Sequence, residues 1–139
     1  MPTVEHVDMH DVARGRHATL PEGAALIQVV DPDMDWPTPM AQFRYILRLK
    51  FLDIDPQADD TPDTWAMSES QARAVDAFLA EALREGRNVL VHCVHGSSRS
   101  GAIAAHAQSQ GFECLRPLTE PNAHVLRALR RVHLALGRA

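Results

Sequence analysis

Two cysteines in 139 residues are too few for a disulfide scaffold, so the core has to hold without covalent staples. Free thiols of this kind fit a reducing compartment, and a cytoplasmic location is the expectation. No apolar run reaches the 18 residues that a spanning helix requires, and no N-terminal stretch resembles a secretory signal. A soluble chain without a membrane partner is therefore expected. An excess of basic residues is missing as well. The formal net charge of −4 excludes a general nucleic-acid binder while leaving room for a locally basic pocket. Internal repeats and low-complexity linkers are absent, and the length suits one core, so residues 1–139 are read as a single domain.

Hydrophobic residues make up 45% and charged residues 23% of the chain, the balance of an ordinary globular protein. AALIQVV (24–30) and NVLVH (88–92) are compact apolar runs that read as buried strands. FRYILRLKFLDI (43–54) alternates and reads as a third strand, while TVEHV (3–7) is expected to add a strand at the sheet edge. DPQADDTPD (55–63) is a loop by composition. Ser68 with Gln71 three residues on forms a capping box ahead of Val75, Phe78, Leu79, Ala82 and Leu83, which recur at helical spacing, and Gly86 stops that helix. RSGAIAAHAQSQ (99–110) reads as a helix of small residues ended by Gly111. Val125, Leu129, Val132 and Leu136 form the stripe of a last helix after Pro121. Strands alternating with helices predict an α/β fold, a mostly parallel sheet of four to five strands flanked by helices.

The stretch HCVHGSSRSG (92–101) sits between the strand at 88–92 and the helix that starts near Arg99. The carboxyl edge of a parallel sheet is where such folds bind ligands. The N–H groups of Val94, His95, Gly96, Ser97 and Ser98 are able to form an anion nest there, assisted by the positive end of the following helix. Gly96 permits a backbone conformation that a Cβ resists. Cys93 lies at the base of the nest, and thiols near helix N-termini and cations favour the thiolate. Arg99 offers a planar fork for two oxygens of a tetrahedral oxyanion. A nucleophile beneath a bound anion, with a cationic clamp beside it, is the arrangement of covalent phosphoryl transfer.

In these ten residues the chain resembles the cysteine-dependent protein tyrosine and dual-specificity phosphatases, in particular their small bacterial members. The pattern is His-Cys, five residues, Arg, then Ser, with glycine third after the cysteine. VVDP (29–32) and LDI (52–54) precede it in the order found in those relatives. The resemblance implies that Cys93 is the nucleophile and that Arg99 and the N–H groups of 94–98 bind phosphate. It implies further that Ser100 assists the departure of the cysteine sulfur and that His92 orders the loop. His95 is expected at the rim, with Ser97 and Ser98 supporting the loop. The reaction also needs a carboxylic acid on the loop that follows the preceding strand. Asp53, Asp55, Asp59 and Asp60 all fall in the right region. Asp53 has the better local match at a strand end, Asp59 the better spacing, and Asp55 and Asp60 stay open. The Asp-Trp-Pro at 35–37 precedes a strand and is set aside.

The leading expectation is therefore a metal-independent phosphomonoester hydrolase that acts through a phosphocysteine on a phosphorylated protein or a small phosphomonoester. No cofactor is called for. The loop has no lysine to meet the extra phosphates of a phosphoinositide, and the acidic balance disfavours an RNA 5′-phosphate substrate. A phosphate-binding module without turnover is the alternative from another class, and rhodanese-type sulfur transfer a more distant one. Cys114 reads as a buried free cysteine. Histidines 6, 10, 17, 106, 124 and 133 show no metal-ligand spacing, and the family resemblance implies no metal.

Overall fold

The computed structural model describes residues 1–59 and 63–137. Five strands form one all-parallel sheet: β1 (Thr3–Asp8), β2 (Ala25–Val30), β3 (Tyr45–Lys50), β4 (Val89–Cys93) and β5 (Glu113–Cys114). Their order across the sheet is β3-β2-β4-β1-β5, so the expected α/β architecture with five strands holds. The helices are α1 (Met9–Arg14), α2 (Pro56–Asp59), α3 (Glu69–Arg84), α4 (Arg99–Gln110) and α5 (Ala123–Ala135).

β2 and β4 are buried along their whole length, as strands covered on both faces must be. Alternate residues go to opposite layers. Val89, Val91 and Cys93 join the larger core under α3, α4 and α5, while Leu90 joins Val7, Val12, Leu26 and Phe43 on the other face. Gly101, Ala102, Ala104 and Ala107 keep α4 slim, and all four are buried. A helix of small residues comes close to its neighbours, and α4 packs against β1, β4 and α5.

Several expectations need correction. β1 is interior, paired with β4 on one side and with the two-residue β5 on the other. Too short a run to show alternation, β5 left no mark in the hydrophobic pattern. β3 stops at Lys50, with the Phe51 N–H making one more bond to Val30 O at 3.1 Å. Residues 56–59 form one helical turn where a loop was expected, because Pro56 suits a first helical position and Asp55 caps the turn through the Gln57 N–H at 3.2 Å. Leu136 follows the end of α5 and is 49% exposed. Cys114 is half-buried, its thiol donating to the Arg116 carbonyl at 3.2 Å. The Ser68–Gln71 capping box is present in both directions.

Candidate active site

Parallel pairing brings the carboxyl ends of β1, β2 and β4 together, with Asp8 opposite Cys93 in the register. The loop 94–98 leaves from this edge, and α4 begins at Arg99. Cys93 is 1% exposed. The Gly96 N–H donates to Cys93 Sγ at 3.2 Å, and Ser100 Oγ lies 3.2 Å from the same sulfur. Two groups able to donate therefore converge on one thiol, the donors a thiolate requires.

Gly96 has φ +79°, and a Cβ there would lie 2.5 Å from the Asp8 nitrogen and 2.6 Å from the Val7 carbonyl carbon. The loop thus crosses β1 at a distance only glycine allows. On its outer side the carbonyls are held. His6, 6% exposed, sets Nδ1 2.7 Å from Gly96 O and Nε2 3.1 Å from Pro117 O. Carbonyls only accept, so a neutral imidazole satisfies one of them and a protonated ring both. The Met9 N–H reaches Val94 O at 3.5 Å, and the Asn122 N–H donates to Ser98 O at 2.9 Å. In a trans peptide C=O and N–H point opposite ways. With Gly96 O turned onto His6, the Ser97 N–H faces away from β1.

Arg99 is 3% exposed, unlike an arginine at a surface helix start. Its Nη1 donates to Asp31 Oδ1 at 2.7 Å and to Phe51 O at 2.6 Å, while Nε is buried with no partner. The guanidinium is thus pinned by one nitrogen and left with an unmet donor on another edge. Asp31 follows β2 in the Asp-Pro pair that the sequence displays, but nothing in that pair announced an arginine partner.

Of the four candidate acids, Asp53 alone among the described residues touches the loop. Its Oδ1 accepts from Ser98 Oγ and from Asn122 Nδ2, both at 2.7 Å. Asp55 pairs with Arg127 at 2.7 Å. Burial pushes its carboxyl up, but the hydrogen bond and charge of Arg127 outweigh that and leave it below the usual carboxylate range. Asp59 is spent on the Asp55 N–H at 2.8 Å. Asp60 lies outside the described residues. Asn122 was not anticipated: it caps α5 through the Val125 N–H, holds Asp53, and donates to Ile54 O at 3.1 Å. An Asn before an amphipathic run is a legible cap, whereas its reach across the molecule is not.

His92 is fully buried, with Nδ1 3.3 Å from the Cys93 carbonyl oxygen. Desolvation, with the nearby Arg99 charge in support, lowers its pKa to about 4 against the opposing backbone contact and Asp8. The ring is neutral at physiological pH. His95 is exposed at the tip of the loop, and Val94, Ser97 and Ser98 are partly buried.

No protein-family model matches the chain, and no curated protein does. Solved structures do. The human tyrosine phosphatase-like serine/threonine/tyrosine-interacting protein matches at TM-score 0.61 and 17% identity, over 94% of this chain and 91% of that one. Human DUSP28 matches at 0.57 and 22%, over 99% and 95%. A mouse putative dual specificity phosphatase, complexed with zinc tungstate, matches at 0.52 and 26%, over 89% and 80%. The chain carries the fold of the tyrosine and dual-specificity phosphatases, the family that its Cys93–Arg99 loop resembles.

Proposed function

We propose that the protein is a metal-independent phosphomonoester hydrolase of the tyrosine and dual-specificity type, working through a phosphocysteine. The observation that carries this reading is the pair of contacts on Cys93 Sγ from the Gly96 N–H and the Ser100 hydroxyl. Cys93 attacks phosphorus as the thiolate, forming S–P as the bond to the leaving oxygen breaks. Asp53 gives its proton to that oxygen. The Asp53 carboxylate then takes a proton from water, whose oxygen attacks phosphorus. The S–P bond breaks, phosphate departs, and the Ser100 hydroxyl donates to the sulfur as its charge returns.

The phosphate seat consists of the N–H groups of the 94–98 loop, the Gly96 N–H being shared with the Cys93 sulfur, and the unmet Nε edge of Arg99. Its free donors favour a tetrahedral oxyanion, the class to which the tungstate held by the mouse relative belongs. Pro32, Asp33, Leu52 and Trp65 line an open cavity of about 420 Å³ next to the segments that hold Arg99. This largely apolar wall suits an aromatic leaving group such as the phenol of phosphotyrosine. The free Cys93 and Cys114 thiols suit a reducing cytoplasm, and no helix among the described residues is long and apolar enough to cross a membrane.

The test is hydrolysis of p-nitrophenyl phosphate in EDTA by the wild type, Cys93→Ser, Asp53→Ala and Asp59→Ala. Turnover is expected to vanish in Cys93→Ser, to collapse in Asp53→Ala and to persist in Asp59→Ala. Phosphate binding without turnover in the wild type would replace the enzyme by a phosphate-binding module.

A further inference from the structure

Away from the loop, the three helices on one face of the sheet each contribute one ionisable side chain to a single buried cluster. Asp76 on α3 is 1% exposed, His106 on α4 1% and His133 on α5 9%. Asp76 Oδ1 is 2.9 Å from His106 Nε2 and 2.9 Å from His133 Nδ1. The rings stand edge to face, centroids 5.4 Å apart, and the nearest ligand atoms of all three residues lie within 4.8 Å of one another. The positions are separated by 30 and 57 residues from Asp76, so no linear spacing betrays them.

We propose that Asp76, His106 and His133 form a binding site for a first-row divalent cation, zinc foremost, that ties α3, α4 and α5 together. Two imidazoles and one carboxylate are a donor set such ions favour. Ligands about 2.0–2.2 Å from a tetrahedral zinc stand roughly 3.3 Å apart, so the two separations of 2.9 Å need to open by a few tenths of an ångström, and the two imidazole nitrogens, within 4.8 Å of each other, need to close by at most about 1.5 Å. A fourth ligand, a water, would come from the cavity of about 290 Å³ that His106 and His133 help to wall, with Ser109 and Gln110 also on it.

The protons balance. With N–H at His106 Nε2 and His133 Nδ1, both donate to Asp76, and the outer nitrogens His106 Nδ1 and His133 Nε2 are buried without partners. On metal binding the inner lone pairs turn to the cation, and each ring keeps one proton, moved to its outer nitrogen. Arg130 lines the same cavity and its charge opposes the cation, which sets a limit on affinity.

The site is structural. α4 begins with Arg99 and Ser100, and α5 is capped by Asn122. Pinning the distal halves of both helices fixes the ends that carry the loop's partners, and the chemistry itself needs no metal.

The experiment is Co²⁺ titration of the EDTA-treated full chain in a Cys93→Ser, Cys114→Ser background, so that no thiolate competes. We expect one Co²⁺ per chain with the intense visible bands of a four-coordinate site, and a rise in melting temperature with Zn²⁺. Arg130→Gln, at an exposed position that is not a ligand, should tighten binding a few-fold. His106→Gln and His133→Gln should each abolish the bands while far-UV circular dichroism stays native. Absence of a stoichiometric visible band, or bands that survive both histidine variants, would overturn the proposal and leave a hydrogen-bonded core network. If the histidine variants unfold, the Co²⁺ spectrum and the Arg130→Gln shift decide the matter.

Discussion

Asn122 is the position at which the geometry makes its most separable prediction. One side chain does two jobs: Oδ1 caps α5 at the Val125 N–H, while Nδ2 donates to Asp53 Oδ1 at 2.7 Å and to Ile54 O at 3.1 Å. Asn122→Ala removes both. Loss of the cap is worth about 1 kcal/mol, and each of the two lost hydrogen bonds about 0.5–1.5 kcal/mol. The total is about 2–4 kcal/mol. At roughly 2 cal/mol/K per residue of unfolding entropy, this lowers the melting temperature by about 7–14 °C. Asn122→Asp keeps the cap, since Asp is as good an N-cap residue, but turns the donor toward Asp53 into an acceptor. Its stability loss should be no smaller than that of Asn122→Ala, since both Nδ2 donations go and a second carboxylate then faces Asp53. Its kcat should still fall by about 10- to 100-fold, within the range a displaced general acid explains, with KM near the wild-type value. Calorimetry and steady-state hydrolysis of an aryl phosphate measure the two effects. Wild-type kcat in Asn122→Asp would refute the claim that this bridge positions Asp53.

Three further outcomes are expected. Gly96→Ala should lose at least about 2 kcal/mol in urea unfolding, since a left-handed alanine alone costs about 1–2 kcal/mol and its Cβ meets β1 backbone at 2.5 Å. Phosphate binding should disappear with it, whereas Gly86→Ala, with nothing within 4 Å, should show the backbone cost alone. Asp31→Asn keeps an acceptor near Arg99 Nη1 but removes the charge, so KM should rise several-fold with a smaller change in kcat. Unchanged kcat/KM would show that Asp31 does not position the arginine. His92 bears on pH. Its folded pKa of about 4 is below the unfolded value of about 6.5, so the unfolded chain holds the proton more tightly. Stability is full above pH 6.5 and falls as the pH drops toward 4, by about 3 kcal/mol at most. His106 slopes the same way, so the wild type must be compared with His92→Asn, in which the extra slope should be gone.

The legible parts of this molecule are those whose evidence is contiguous. β2, β4 and α4 announce themselves because burial on both faces, or small-residue packing, writes itself into consecutive positions. Ser68 and Gln71 announce α3 because a capping box closes within one turn. β5 has two residues and no period, and β1 could not be placed inside the sheet because its neighbour β5 was invisible. The site divides likewise. Cys93, Gly96, Arg99 and Ser100 are adjacent in the chain and readable together. Asp31 and His6 reach Arg99 and the loop from 68 and 90 residues away, and Asn122 reaches Asp53 from 69, and none belongs to a local pattern. Asp53 lies between the two cases: its place on the segment after a strand was visible, although β3 stops three residues before it, but what separates it from Asp55 and Asp59 is the partner each carboxylate found.

That division has a physical origin. An anion nest needs N–H groups free on the inside, and each trans peptide that turns its N–H inward turns a carbonyl outward. The outward carbonyls are partly buried against β1 and α5 and have to be met there. The loop's own side chains cannot fold back far enough to do so, which leaves the work to whatever the topology places alongside. His6 meets Gly96 O, and the Met9 and Asn122 N–H groups meet Val94 O and Ser98 O. Side chains that reach the anion, or the sulfur beneath it, are constrained in type by chemistry. Partners of the outward carbonyls are constrained only to donate, so many residue types serve, and three of the four here donate from backbone, the Ala102 N–H inside α4 sharing Ser98 O with Asn122. His6→Gln, which keeps a side-chain donor, should therefore retain more activity than His6→Leu at equal secondary-structure content. Equal activity of the two, measured on an aryl phosphate, would show that the Gly96 carbonyl needs no donor from β1.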